Sequence, residues 1–114
     1  MGLNMECSLD KKHCKPCEGG VPPLGDKEIS ELLGTLSGWE RAGNAITKTY
    51  SFGNYYETMA FVNMTAWVSH KEDHHPDLHV GYNQCRVEYM THAIGGLSEN
   101  DFICAAKIDT LLSV

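Results

Sequence analysis

The stretch from Asn54 to Asp73 constrains the fold of this chain more than any other. Asn54 with Glu57 three residues on is a capping-box pattern, which satisfies the first free amides of a helix. Pro76 sets the other limit. Its ring disfavours helical geometry at His75, so the helix is expected to stop by about Asp73. A helix of that length needs a surface to cover. Tyr56, Met59, Ala60, Met64 and Trp67 form one broad apolar stripe along it, and this stripe is expected to pack on a sheet.

The segments on either side supply that sheet. Asp26 is expected to cap a short helix carrying Ile29, Leu32, Leu33 and Leu36, ended by Gly38. Trp39 to Arg41, the turn pair Gly43-Asn44, and Ile46 to Phe52 read as a hairpin. Beyond Pro76, Leu78–Tyr82 and Cys85–His92 read as two strands joined near Asn83-Gln84. Val87, Tyr89 and Thr91 alternate with Arg86, Glu88, Met90 and His92 in the second. After the break at Gly95-Gly96, Ser98 and Asp101 open a final helix with Phe102, Ile103, Ala106 and Ile108 on its apolar side. The order α-β-β-α-β-β-α predicts a single α+β domain with a four-stranded antiparallel sheet and helices packed on one face.

With 114 residues there is room for one core. Residues 1–25 are set apart as an irregular arm, holding three of the five cysteines and three of the four prolines; residues 26–114 form the folded domain. The formal charge of −6 and the lack of any Lys/Arg cluster argue against direct nucleic-acid binding, which needs a basic footprint. No apolar run is long enough for a bilayer span or suited to secretion, and Glu6 spoils a myristoylation start at Met1-Gly2. Five scattered cysteines do not form a secreted disulfide framework. A cytoplasmic setting without membrane attachment is expected.

Histidine is the unusual ingredient. Four of the six lie between His70 and His79, and a fifth is His92. Imidazole exchanges protons near neutral pH, so it serves as both acid and base. His74 and His75 fall at the predicted helix end, where the partial negative charge favours an imidazolium. His92 is expected at its strand end, where Asp101 could orient its ring if the glycine turn folds back. Each feature alone has an ordinary explanation: a solvated cap for the pair, a capping-box acid for Asp101, a strand residue for His92. Metal binding fits poorly, because adjacent histidines rarely reach one ion and the spacing matches no standard zinc pattern.

The longer pattern is more specific. His70-x3-His74-His75-Pro76, then Tyr82, His92 and Asp101 at fixed intervals, resembles the signature of pterin-4a-carbinolamine dehydratases, and the likeness extends over about residues 24–112. The resemblance implies an α+β fold and association into homodimers or homotetramers. It implies dehydration of 4a-hydroxytetrahydropterin to quinonoid dihydropterin, which recycles the pterin cofactor of aromatic amino-acid hydroxylases. The pterin is then the substrate, and no other cofactor is needed. Carried onto this chain, His74, His75 and His92 are the catalytic residues, and Pro76 and Thr91 join them in binding the pterin. Asp101 and His70 support them. His74 and His92 are expected to share the proton transfers, with His75 chiefly binding and orienting; which ring is acid and which base stays open. One position departs from many members, in which Glu stands where this chain has His70. One helical turn separates His70 from His74, so the two are expected to face each other. Glu72 and Asp73 are the nearby acids able to take over part of that Glu's role.

Two other classes of function remain in play. The same family fold also serves as a dimerisation cofactor for a transcription factor, and relatives without the histidines act as assembly factors. A metal-binding protein is the third reading. Cys14-Lys15-Pro16-Cys17, near Cys7 and His13, is half of a zinc site at most, or a redox pair, and a lone C-x-x-C is weak evidence for either.

Overall fold

A computed structural model describes residues 8–16 and 21–113 of the chain. Cys7 and Cys17 lie outside the described residues, so the pairing of Cys14 with Cys17 falls outside them too. The elements run α1 (Asp26–Leu33), β1 (Glu40–Ala42), β2 (Ala45–Ser51), α2 (Tyr55–Glu72), β3 (Asp77–Val80), β4 (Gln84–Tyr89) and α3 (Glu99–Leu112). Single 3-10 turns occupy Leu9–Lys11 and His92–Ile94. The predicted α+β order is the observed one.

The four strands lie in the order β1-β2-β4-β3, with every neighbouring pair antiparallel. Opposed residues in an antiparallel ladder share a face. Ile46, Lys48 and Tyr50 oppose Tyr89, Val87 and Cys85, and this face meets the core. Lys48 is an unusual inward residue, and its ammonium is matched there. It lies 3.0 Å from Asp109 of α3 and donates to the Ser37 carbonyl at 2.8 Å. Asp109 also accepts from the Trp39 indole at 2.9 Å, which ties α3 to the hairpin. Phe102, Ile103 and Ile108 of α3 are wholly buried beneath the sheet. Helices therefore cover one face of the sheet, as expected.

Three local expectations need correction. Asp26 is the first residue of α1, not its cap; Gly25 is the cap, its amide donates to Glu28 at 3.0 Å, and the helix ends at Leu33 against Gly34, short of Leu36 and Gly38. Strand β4 ends at Tyr89, three residues short of His92.

The third concerns α2, which buries Thr58, Phe61, Thr65 and Val68. The predicted stripe lies away from this face, with Tyr56 82% and Trp67 60% exposed. The threonines can enter the core because their hydroxyls are satisfied locally. Thr58 donates to the carbonyls of Asn54 or Tyr82, both at 3.0 Å, and Thr65 donates to that of Val62 at 2.7 Å. The ends of α2 follow expectation. Asn54 accepts from the Glu57 amide at 2.9 Å, and Asp73, in the left-handed region at φ 53°, ends the helix.

Candidate active site

Two chain reversals build the site. At the first, Asp73 turns the backbone out of α2, and the His74 amide still donates to the Ser69 carbonyl at 3.2 Å. This places His74 just past the helix end, with its side chain only 13% exposed. At the second, Thr91 pairs with Gly96 and encloses the His92–Ile94 turn. Gly95 takes φ 67°, favourable for glycine, and Gly96 passes so close to Pro23 that a Cβ would come within 2.7 Å of it. The strand alternation continues inward through Thr91, which is buried, while His92 projects into solvent.

Asp101, in the first turn of α3, is wholly buried and receives three donors. Its Oδ1 lies 2.6 Å from Nε2 of His74. Its Oδ2 accepts from the Thr91 hydroxyl at 2.8 Å and from the Ser98 amide at 3.0 Å. Because the Thr91 hydrogen goes to Asp101, Thr91 accepts in turn from the Ser98 hydroxyl at 2.7 Å. A carboxylate can only accept, so Nε2 of His74 carries a proton and Nδ1 is the lone-pair nitrogen of the neutral ring. Tyr89 stacks beneath that ring, with centroids 5.9 Å apart and planes 10° from parallel. Neither Tyr89 nor Ser98 was legible as part of the site, because both enter through tertiary contact.

His74, His75, Thr91 and His92 line one cleft of about 710 Å³, within the usual size for a small-molecule site. His75 and His92 are exposed, and neither ring meets a side-chain hydrogen-bond partner among the described residues. Asp101 therefore orients His74, not His92 as the sequence suggested. His92 is carried outward by the 3-10 turn, whereas α3 begins against the end of α2. His70 does not line this cleft. The helix stops before His74, so the one-turn relation between the two is lost, and the exposed His70 ring lies against Trp67 with centroids 5.7 Å apart. Pro76 is half-buried and also lies outside the cleft lining.

The far wall comes from the arm. His13, Cys14, Lys15 and Pro16 border the cleft, with Glu72, Asp73 and Asn100. Glu72, one of the acids near the position of His70, lines the cleft, and its two oxygens hold the arm. One accepts from the Cys14 amide at 2.7 Å, and the other lies 3.1 Å from His13 and 3.7 Å from Lys107. Burial pushes the Glu72 carboxyl upward, but the Cys14 amide, His13 and Lys107 together hold it below its usual range. Among the described residues, no group of three or more His, Cys, Asp or Glu is placed to hold a metal ion.

A four-stranded α+β domain with one carboxylate-held imidazole and two free ones at a single cleft is the class of protein that fold and site define. Comparison with known proteins gives the family. The model of the pterin 4 alpha carbinolamine dehydratase family matches residues 22–111, and the chain belongs to that family. A Nitrosomonas eutropha protein named "Putative pterin-4-alpha-carbinolamine dehydratase" is 70% identical over 107 residues, covering 93% of this chain and 95% of that one. The crystal structure of a transcriptional coactivator/pterin dehydratase from Brucella melitensis matches with a TM-score of 0.75 at 31% identity, covering 78% of this chain and 97% of that one. A pterin dehydratase-like protein identified as a RuBisCO assembly factor in the alpha-carboxysome matches at TM-score 0.56 and 26% identity, covering 66% and 89%. Among the described residues, no helix is long and apolar enough to cross a membrane.

Proposed function

We propose that this chain is a hydro-lyase that dehydrates 4a-hydroxytetrahydropterin to quinonoid dihydropterin, recycling the pterin used by aromatic amino-acid hydroxylases. The observation that carries this reading is His74, held by buried Asp101 at the edge of a cleft that His75 and His92 also line. Loss of water from C4a needs an acid for the leaving oxygen and a base for the N5 proton. An imidazole fixed in one tautomer, with a second imidazole lining the same cleft, meets both needs. In this reading His74 and His92 move the protons, and His75 and Thr91 seat the pterin. Pro76 contributes by setting the backbone after the pair, and His70 has no direct part. The pterin is the substrate, with no further cofactor, in a cytoplasmic setting.

The exposed face of α2 supports self-association as a homodimer or homotetramer. Tyr56 and Trp67 leave a large apolar area in water, which a second copy would cover. The same face favours a second reading, a protein-binding role on this fold.

The test is the dehydration rate of 4a-hydroxytetrahydropterin with the wild-type protein and with the His74→Ala and His92→Ala variants. The reading expects turnover well above buffer, falling by about 10²–10⁴-fold in each variant. Wild-type turnover equal to buffer would leave the protein-binding role as the better account.

A further inference from the structure

Dehydration makes no use of the thiols, yet two of them meet at the cleft wall. Sγ of Cys14 lies 3.6 Å from Sγ of Cys104, and both cysteines are free. Cys14 belongs to the strap of residues 12–16, and its position is set by backbone anchors on either side. Its own amide is held by Glu72, the Lys15 amide donates to Oδ1 of Asn100 at 3.0 Å, and Asn100 donates back to the Lys15 carbonyl at 2.6 Å. Cys104 is wholly buried on α3, beside the Tyr89 hydroxyl and 4.0 Å from the His74 carbonyl. A bond between these sulfurs would join the arm to α3, the helix that carries Asp101.

We propose that Cys14 and Cys104 are an oxidation site, forming a disulfide that locks the 12–16 strap as a fixed wall of the histidine cleft. A disulfide needs its sulfurs about 2.05 Å apart, so the strap has about 1.5 Å to close. The oxidant is a hydroperoxide, such as hydrogen peroxide. Cys14 gives up its proton and its sulfur attacks one peroxide oxygen; the O–O bond breaks, leaving a sulfenic acid and one water. The Cys104 sulfur then displaces that hydroxyl, which leaves as a second water with the Cys104 proton. Two thiols lose two electrons and two protons, and the peroxide takes up both. The hydrogen bond to Cys104, together with burial, pushes the Cys14 thiol up and out of the reactive thiolate range. Attack on the peroxide is accordingly slow, so the test uses excess oxidant and long exposure.

The test treats the full chain with hydrogen peroxide, alkylates the remaining thiols after unfolding, and maps the peptides by tandem mass spectrometry. A Cys14–Cys104 linkage, two hydrogens lighter and reversed by dithiothreitol, is expected. Amide exchange at Cys14 and Lys15 should slow about tenfold or more in the oxidised protein. Cys104→Ala should abolish both effects. If that core variant does not fold, Cys14→Ser on the strap serves instead. Recovery of both cysteines alkylated, or of Cys14 bonded to Cys7 or Cys17, would overturn the site. A correct linkage with unchanged exchange would overturn the lock. The mass readout does not depend on turnover, so its failure is distinct from failure of the dehydratase reading.

Discussion

His74 and His75 are neighbours in sequence but stand in opposite physical situations. His74 is nearly buried, stacked on Tyr89 and bonded to a carboxylate with no exposure of its own. His75, like His92 in the same cleft, is exposed, with no side-chain partner among the described residues. One ring has its tautomer and orientation set before any ligand arrives; the other two are ordered only by what binds between them. A fixed ring spares the entropy of positioning at the moment of reaction, which free rings must still lose.

Stability measurements can break this comparison without any substrate. His74→Ala leaves Asp101 buried without its ring partner, and should cost about 3 kcal/mol in denaturant unfolding. A cost below about 1 kcal/mol would mean the pair is not holding the fold as described. Thr91→Val removes one of the three donors to Asp101 while keeping the shape, and should cost about 1–2 kcal/mol. His75→Ala and His92→Ala should each stay within about 0.5 kcal/mol of wild type, as exposed substitutions do.

Acid should act on the arm through Glu72. Folding holds the Glu72 carboxyl below its ordinary value of 4.5, so the native state retains the ionised form more strongly than the unfolded chain. Its contribution is complete above that value and is lost as pH falls through the lower, folded one. Amide exchange at Cys14 should therefore stay slow at neutral pH and down to about 4.5, then quicken below it. In Glu72→Gln the exchange should be faster throughout and this acid step absent.

Much of the fold was legible in the sequence, because its signals are local. The Gly43-Asn44 turn, the Asn54 cap and the stop before Pro76 each depend on a few adjacent residues. The facing of α2 was not legible, since a buried threonine reads as polar until its hydroxyl is seen to bond back to the helix. The same limit applies to the site. The spacing of His74, His92 and Asp101 marked the participants, but their pairing depends on where α3 begins relative to the end of α2. His70 was expected to face His74 by a one-turn count carried past the helix end that was itself expected near Asp73; the left-handed Asp73 turns His74 off that path. The arm offered no periodicity at all. Among its anchors are Glu72 and Asn100, single side chains gripping backbone groups far away in sequence.

The central claim, that Asp101 prepares His74 for proton transfer, is tested most directly by the dehydration kinetics of Asp101→Asn. The Ser98 amide can only donate, so the new side chain must turn its carbonyl toward Ser98 and its NH2 toward His74. His74 would then have to accept at Nε2 and carry its proton on Nδ1, the reverse of the native tautomer. With the fold intact by circular dichroism, kcat for 4a-hydroxytetrahydropterin should fall by about 10²-fold or more while KM changes little. A folded Asp101→Asn protein with kcat within about threefold of wild type would contradict the claim.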